Sequence, residues 1–232
     1  MKALSAIQLN PQEDLIIDEI DIADPEGKQV QIKLISSGIC HSQLHQMSDN
    51  SLPRPFLLGH EATGIVIKVG PDCQYVKEGD YVIATWVPRT PIKGRYLPDL
   101  KGVSYMEKAL NNRITFTWSE IIMCDDEYVV KISKEHATPE SCIVGCSVLT
   151  GAGAVKNTAK INEGDRVAIF GVGGVGLSAV TMASIMNASM VIAVDLDENK
   201  LEFSKKFGAT HVINAKKSNP IEEILDISQG GL

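Results

Sequence analysis

The chain has 232 residues, of which 44% are hydrophobic and 22% charged, so it has the composition of a globular protein. This length is enough to bury a core in one or two domains, and the composition excludes intrinsic disorder. The net charge of −7 and the lack of a Lys/Arg cluster argue against a nucleic-acid-binding protein.

The N-terminal residues carry no signal-peptide pattern, and the five cysteines are an odd number. Together these features favour reduced thiols in the cytoplasm over a disulfide scaffold.

The first half of the chain is predicted to form short strands joined by polar loops. β-Branched residues alternate with polar ones in residues 29–35, 62–69 and 81–85, and Gly, Pro or Asp bound each run. Residues 88–112 are rich in proline with weak periodicity, which predicts an irregular lobe. Strand character returns over residues 117–132.

The second half alternates strands with helices. Thr138 followed by Pro139 predicts a helix start, because Thr is a good N-cap and Pro suits the first helical turn. Predicted strands at 166–170, 190–195 and 211–214 are followed by predicted helices at 175–186, 198–207 and near 221–227. Such alternation indicates βαβ units and a parallel sheet, so we predict an α/β fold that starts with a β-rich part.

Residues 167–194 contain no charged residue, a pattern that raises the question of a membrane span. Four glycines within residues 171–176, and the Ser, Thr and Asn residues that follow, oppose that interpretation. Strands buried on both faces of a parallel sheet are equally apolar, so we expect no membrane insertion.

Residues 171–176, GVGGVG, form a GxGxxG motif between a predicted strand and a predicted helix. In a dinucleotide-binding loop, Gly171 would permit the tight turn, Gly173 the approach of a pyrophosphate, and Gly176 the close packing of helix on strand. The N-terminus of the helix would bind the anion. Asp195 ends the next strand, where it would accept hydrogen bonds from the adenosine ribose and repel a 2′-phosphate, which favours NAD over NADP. The alternative is a glycine-rich turn in another α/β protein.

Two cysteines and a histidine occur in short glycine-containing segments: Cys40 in GICHS, His60 in GHEATG and Cys146 in GCSVLTG. The first two segments are predicted to be loops next to strands. Spacings of 20 and 86 residues match no local zinc-binding pattern. Spacing alone therefore favours two buried cysteines and a core histidine.

Five segments, in their order along the chain, resemble the zinc-dependent alcohol dehydrogenases of the medium-chain dehydrogenase/reductase family. They are GICHS, GHEATGIVIKVG, VKEGDYV, GCSVLTGAGA and RVAIFGVGGVGL. The resemblance covers essentially all 232 residues. It implies a GroES-like, zinc-binding catalytic domain over residues 1–147 and the first half of a Rossmann NAD-binding domain, a doubly wound parallel sheet, over residues 148–232.

The resemblance implies that Cys40, His60 and Cys146 ligate one catalytic zinc and leave a fourth position for water or substrate. Two thiolates and an imidazole with an open position are the ligand set of a catalytic zinc, and they select zinc over hard ions. Glu61 would lie beside the metal and help ligands exchange, and the alternative for Glu61 is a surface carboxylate.

By the same resemblance, Ser42 and His45 form a proton relay. The proton of an alcohol polarised by zinc would pass to Ser42, through the cofactor ribose, to His45, while the hydride moves to the nicotinamide. Trp86 falls where the family has an aromatic residue in its substrate pocket, with buried core as the alternative. His41 matches a family position that often carries a basic group for the pyrophosphate, and Lys200 matches one near the adenosine ribose; the alternative for both is an exposed residue without a function. The cofactor-binding residues that the resemblance implies are His41, Thr150, Gly171, Gly173, Gly174, Val175, Gly176, Asp195 and Lys200.

Two departures from the family pattern concern metal binding. Gln43 stands where the family has an aspartate that orients the zinc-binding histidine, so zinc affinity or the acidity of a bound alcohol is expected to differ. Residues 74–123 contain no cysteine, which predicts one zinc and no structural zinc. The other cysteines, Cys73, Cys124 and Cys142, are then small buried hydrophobic residues.

A third departure is the length, since family members are longer. The chain is expected to be C-terminally truncated after the third strand–helix unit, with residues 166–170 as an open edge strand. We predict an NAD-dependent alcohol dehydrogenase that acts on a small-molecule alcohol or aldehyde, with no nucleic-acid or membrane partner. Its full-length parent is expected to be a cytoplasmic homo-oligomer.

Two alternatives stay open: an NAD(P)H-dependent carbonyl reductase of the same family, and a non-catalytic nucleotide-binding fragment. The sequence does not identify the alcohol, the direction of the reaction, the oligomeric state or whether this chain alone is active.

Overall fold

The computed structural model describes residues 1–90 and 101–231. The chain forms two compact units, Met1–Cys146 and Ser147–Leu232. The boundary between them falls one residue before the domain boundary expected from the sequence.

The described part of the first unit contains ten strands and one α-helix: β1 (Lys2–Gln8), β2 (Ile16–Ile22), β3 (Gln29–Ser37), α1 (His41–Ser48), β4 (Phe56–Leu57), β5 (Ala62–Val69), β6 (Tyr81–Ala84), β7 (Val103–Tyr105), β8 (Lys108–Ala109), β9 (Ile121–Asp125) and β10 (Val129–Ile132). The strands form two five-stranded antiparallel sheets, ordered β4-β1-β2-β7-β8 and β10-β6-β5-β3-β9.

The strands of both sheets turn apolar side chains toward a shared core. Ile7, Ile20, Ile32 and Ile122 are fully buried there, which explains the β-branched alternation seen in the sequence. The strands predicted at 29–35, 62–69 and 81–85 are confirmed as β3, β5 and β6, and residues 117–132 contain β9 and β10.

The irregular lobe predicted for residues 88–112 is wrong in part. Residues 91–100 lie outside the described part, but β7 and β8 form a hairpin within residues 103–109. Met106 and Glu107 both have positive φ angles, 48° and 64°. Hairpin turns with two positive φ angles usually contain Asn or Gly, so the Met-Glu pair did not indicate a turn.

The loop predicted for GICHS is right for residues 38–40 and wrong for the last two residues, since His41 and Ser42 begin α1. The helix predicted from Thr138 was also wrong in type. Residues Pro139–Gly145 form a 3₁₀ helix, and the Thr138 side chain makes no capping hydrogen bond. An α-helix begins only at Ser147.

The second unit is a parallel sheet with helices in the connections, as predicted. Its described strands are ordered β11-β12-β13, with parallel pairing throughout. The elements are α2 (Ser147–Gly153), which continues as a π-helical segment (Ala154–Ala159), β11 (Arg166–Phe170), α3 (Gly174–Ile185), β12 (Met190–Asp195), α4 (Glu198–Lys205), β13 (His211–Asn214) and α5 (Pro220–Ile227).

The uncharged stretch of residues 167–194 forms β11, α3 and β12. Val180, Ala183, Val191 and Ala193 are buried in the core of this unit, which accounts for the lack of charge. None of the helices in residues 1–90 and 101–231 is long and apolar enough to cross a membrane.

Candidate metal centre and cofactor loop

The two cysteines and the histidine converge in the first unit. The ligand atoms of Cys40, His60 and Cys146 all lie within 4.8 Å of one another. Ligands of one tetrahedral zinc lie roughly 3.5–4 Å apart, given zinc–ligand bonds of about 2.0–2.3 Å. The three side chains therefore fit a single metal ion.

Cys40 is placed by the start of a helix. It is the N-cap residue of α1, directly after β3, and its backbone N–H donates to Oε1 of Gln43 at 2.9 Å. Gln43 thereby takes part in a capping box, an arrangement that fixes the first turn of a helix. The Cys40 side chain is held at that first turn.

His60 is placed by a glycine on its N-terminal side. Gly59 has a φ angle of 98°, and a Cβ at this position would overlap the side chain of Thr117. The chain just before Gly59 is held, because Trp118 donates its backbone N–H to the carbonyl oxygen of Leu58 at 3.0 Å. Only glycine fits this approach, which brings His60 to the start of β5.

Cys146 is placed by the packing of the 3₁₀ segment on β6. A Cβ at Gly145 would lie 2.5 Å from the carbonyl oxygen of Ala84. Thr85 Oγ1 donates to the carbonyl oxygen of Gly145 at 2.6 Å. This close contact brings the Cys146 thiol to the other two ligands.

The local electrostatics suit a divalent cation with soft ligands. Burial, together with the nearby Glu61 and Cys40, raises the pKa of Cys146 to about 12. Burial also lowers the pKa of His60, so its imidazole is held in the neutral form that binds metals. A bound cation would offset the cost of the buried thiolate, so the donor set fits zinc.

Gln43 supports the histidine as well as the helix. It is 1% exposed, and its Nε2 lies 2.5 Å from Nδ1 of His60. Since Nδ1 faces the amide, Nε2 is the ring nitrogen left for a metal. The residue that departs from the family pattern thus occupies the expected place beside the ligand.

Glu61 is buried, with 3% of its surface exposed, so the surface-carboxylate alternative is wrong. Its carboxyl group covers Gly38, where a Cβ would lie 2.5 Å from the Glu61 carboxyl carbon. Its effect on the pKa of Cys146 places its charge close to the metal ligands.

A cavity of about 360 Å³ opens beside the three candidate ligands. Ser42, Phe56, Leu57 and Trp86 are among the residues that line it. Trp86 is 44% exposed, so the buried-core alternative for this residue is wrong. The cavity is large enough for a small organic substrate.

The candidate relay residues lie on one helix. Ser42 lines the cavity, and His45 is exposed to solvent one turn further along α1. His41 is also exposed, and its ring centroid is 5.0 Å from that of His45. These positions suit proton transfer from the cavity to water.

The glycine motif forms the turn between β11 and α3. Gly171 has a φ angle of 83°, and a Cβ at Gly176 would overlap the carbonyl oxygen of Gly171. Helix α3 starts at Gly174 with Gly173 as N-cap and no capping side chain. The first N–H groups of this helix therefore face outward without a side-chain acceptor, as an anion-binding turn requires.

Asp195 is tied to this turn. Its Oδ2 accepts the backbone N–H of Val172 at 2.8 Å, and its Oδ1 accepts those of Leu196 and Asp197. Burial alone would raise the pKa of Asp195, but these donors and the charge of Lys200 outweigh burial and lower it. The carboxylate stays ionised beside the glycine loop, where the sequence places a ribose. Thr150 is an exposed residue of α2 in the same unit.

The sequence interpretation missed several residues of the cavity wall. Gln46, Arg113 and Thr115 also line the cavity but belong to no motif. Arg113 and Thr115 follow a segment of weak periodicity, so only their position in the fold identifies them.

Of the other cysteines, Cys124 and Cys142 are buried as predicted, whereas Cys73 is partly exposed.

Comparisons with known proteins match both units. A family model described as "Alcohol dehydrogenase GroES-like domain" matches residues 26–134, and one described as "Zinc-binding dehydrogenase" matches residues 174–232. The S-(hydroxymethyl)glutathione dehydrogenase of Escherichia coli O1:K1 is 35% identical, and the alignment covers 100% of this chain and 70% of the relative. Alcohol dehydrogenase class-3 of Pisum sativum is 34% identical, with coverages of 98% and 67%.

Solved structures give the same result. An alcohol dehydrogenase zinc-binding domain protein from Burkholderia ambifaria superimposes with a TM-score of 0.91 at 27% identity, covering 100% of this chain and 69% of that one. Benzyl alcohol dehydrogenase from Acinetobacter calcoaceticus gives a TM-score of 0.89 at 27% identity, with the same coverages.

At the level of class, these matches agree with the geometry, since a GroES-like unit and a parallel sheet with a glycine loop are the two parts of a zinc-binding dehydrogenase. More narrowly, 35% identity over the whole chain shows that the protein belongs to the zinc-dependent alcohol dehydrogenases of the medium-chain dehydrogenase/reductase family. The family resemblance and the predicted fold class are confirmed. Zinc and NAD are the cofactors of this family.

Proposed function

We propose that Cys40, His60 and Cys146 hold the catalytic zinc of an alcohol dehydrogenase that transfers a hydride between a small-molecule alcohol and NAD. The product of oxidation is an aldehyde or a ketone. One observation carries this proposal: three soft ligand atoms lie within 4.8 Å of one another in the wall of a cavity of substrate size.

When bound, zinc supplies Lewis-acid polarisation of the alcohol oxygen, and NAD accepts the hydride. Within the chain, the Ser42 hydroxyl accepts the alcohol proton at the cavity wall as it gives up its own proton, which is relayed to the exposed imidazole of His45 and from there to solvent. Glu61 stabilises positive charge at the ligand cluster. Phe56 and Leu57, both buried, exclude water from the apolar part of the cavity.

The nucleotide is assigned to the second unit. The outward N–H groups at the start of α3 suit a pyrophosphate, and the ionised Asp195 suits the ribose hydroxyls of NAD rather than a 2′-phosphate. Lys200 supports this position through its charge. His41 and Thr150 are assigned to cofactor binding by the family resemblance alone.

The complete ligand set argues against a non-catalytic nucleotide-binding fragment, because such a protein needs none of the three ligands.

All five cysteines are free thiols, which supports a reducing compartment, and we place the protein in the cytoplasm. The net charge of −7 supports a function without nucleic acid.

The test combines elemental analysis with NADH production from primary alcohols by the zinc-loaded chain. We expect one zinc per chain and NAD-dependent turnover, and both should be lost in Cys40→Ser because two remaining ligands hold zinc poorly. Cys142→Ser is the matched control, since Cys142 is buried outside the cluster and its loss should leave the zinc content at one per chain.

Two results would contradict the assignment. Turnover that survives in Cys40→Ser would remove this residue from the ligand set. Two zinc ions per wild-type chain would overturn the prediction of a single metal site.

A further inference from the structure

We propose that Arg113 and Thr115 form an anion-binding subsite in the cavity beside the metal ligands, so that the preferred substrate is an alcohol carrying a carboxylate or phosphate group. The inference rests on the proposed function, because it takes the metal cluster to be the place where the alcohol group reacts.

Arg113 supplies the positive charge of the proposed anion-binding subsite. It lines the same cavity as Cys40, His60 and Cys146, and the described lining residues include no carboxylate. A guanidinium has five N–H donors in a planar fork. Among the residues that the structure describes, Arg113 donates no hydrogen bond, and its one ionic contact is with Asp49 at 3.9 Å.

Asp49 lies beside the Arg113 guanidinium but does not use its hydrogen-bond donors. The Asp49 Oδ1 atom accepts both the N–H and the hydroxyl of Ser51, at 2.9 and 2.6 Å, and only Oδ2 faces the guanidinium. The two side chains are 39% and 35% exposed, and a long ion pair between such groups contributes little binding energy. As far as residues 1–90 and 101–231 are concerned, the donors of Arg113 are therefore available to a ligand.

Thr115 gives an independent indication of a ligand. This residue is 4% exposed and lines the cavity, and its Oγ1 atom is buried without a hydrogen-bond partner within the described part of the chain. Buried hydroxyls are normally hydrogen-bonded, and one that is not carries a desolvation cost. A polar group on the substrate would satisfy it.

The chemistry of these two residues defines the ligand class. The guanidinium fork matches the paired oxygens of a carboxylate or a phosphate, and the hydroxyl adds one further hydrogen bond. The rest of the wall includes Phe56, Leu57 and Trp86, which suit a short hydrocarbon spacer. A cavity of about 360 Å³ fits a small molecule with an alcohol at one end and an anion at the other.

The test compares three alcohols that share one reacting group: n-pentanol, ω-hydroxypentanoate and ω-hydroxypentyl phosphate. With the zinc-loaded chain and NAD, we expect kcat/KM to favour one of the anionic alcohols over n-pentanol by about 10- to 100-fold, the effect of a hydrogen bond to a charged group. The anionic alcohol with the higher kcat/KM shows whether the subsite prefers a carboxylate or a phosphate.

Variants separate Arg113 from general charge effects. Arg113→Gln should bring the anionic-to-neutral ratio of kcat/KM close to one, and Arg113→Lys should restore part of it. Lys108→Gln removes the same charge from an exposed position outside the cavity and should keep the wild-type ratio. Thr115→Val should lower the ratio about 3- to 10-fold without lowering Tm, because it removes an unsatisfied buried hydroxyl.

Calorimetry of pentanoate against pentanamide gives a readout that needs no turnover. Arg113-dependent binding of pentanoate supports the subsite. A wild-type chain that oxidises n-pentanol but shows no anionic preference, or an Arg113→Gln variant that keeps the preference, overturns the inference and leaves the proposed function standing. Lack of turnover with all three alcohols contradicts the proposed function, and calorimetry then decides the subsite by itself.

Discussion

At the scale of single residues, the amide of Gln43 contacts two groups, the Cys40 backbone N–H and the His60 imidazole, that require a hydrogen-bond acceptor when a metal is bound. Its Oε1 accepts the Cys40 backbone N–H, which leaves Nε2 facing Nδ1 of His60. When a metal occupies Nε2 of His60, the imidazole proton is on Nδ1. The Nδ1 proton and the Cys40 backbone N–H then both need the single amide oxygen of Gln43, which cannot satisfy both.

Replacing Gln43 with Glu removes the conflict, because two carboxylate oxygens can accept both N–H groups. We expect Gln43→Glu to bind zinc about 10- to 100-fold more tightly, the range found for groups that orient metal ligands. Competition with a chelator measures the affinity.

Gln46→Glu is the control for charge, since it adds the same carboxylate on the same helix and at the wall of the same cavity, whereas the hydrogen bond to His60 comes from Gln43. An equal gain in Gln46→Glu would show that charge, rather than the imidazole proton, limits zinc affinity.

The sequence identified the metal ligands only through the family resemblance. Spacing could not do so, because Cys40, His60 and Cys146 come from three separate segments that the fold joins. Arg113 had no signal at all, since a charged residue in a segment of weak periodicity is normally a solvated one. Gln43 was recognised as a departure, but its bond to the start of α1 depends on a helix that the sequence did not reveal.

At the scale of elements, the 3₁₀ segment before Cys146 depends on its contact with β6. Gly145→Ala would push a methyl group to 2.5 Å from the Ala84 carbonyl oxygen, so the segment must shift. We expect a loss of about 1–3 kcal/mol in the free energy of unfolding and weaker zinc binding, because Cys146 moves with the segment. Thermal unfolding and chelator competition measure the two effects.

Gly153→Ala is the matched control in α2. Its Cβ would meet its nearest neighbour, Asn157 Nδ2, at 3.8 Å, which is ordinary contact, and its backbone is helical. This change should stabilise by about 0.5–1 kcal/mol. A Gly145→Ala variant as stable as Gly153→Ala would mean that the contact with β6 is not tight.

The elements that the sequence predicted best are those with the strongest periodicity. Strands β11, β12 and β13 begin and end where the alternation of apolar runs and helices placed them. Helix α1 was missed because it has only eight residues and is capped by Cys40 and Gln43, which are unusual in that role. Strand β2 is not among the predicted strands, although the alternation of Ile with Asp and Glu in IIDEIDI is typical of a strand.

At the scale of the whole molecule, β11 is an exposed edge. It pairs only with β12 among the described strands, and Phe170 at its end is 57% exposed. Unpaired, apolar strand edges associate with other chains. In a preparation of these 232 residues we expect self-association through this edge, and Phe170→Lys should reduce it because a charge must then be buried in the contact.

Light scattering over a concentration series measures the average mass. Phe203→Lys is the matched control, since Phe203 lies on α4 in the same unit and is 46% exposed. If both variants reduce the mass equally, general surface charge rather than the edge of β11 controls association. A wild-type chain that stays monomeric would contradict the prediction.

The bond between Asp195 and the backbone of Val172 couples cofactor choice to the shape of the glycine loop. The same carboxylate that would meet the ribose already anchors the turn on which the pyrophosphate would rest. A cofactor with a 2′-phosphate would therefore meet more than charge repulsion, because displacing Asp195 would also release the turn. Asp195 therefore both discriminates against NADP and holds the phosphate-binding turn in shape. Any substitution at Asp195 changes the two properties together.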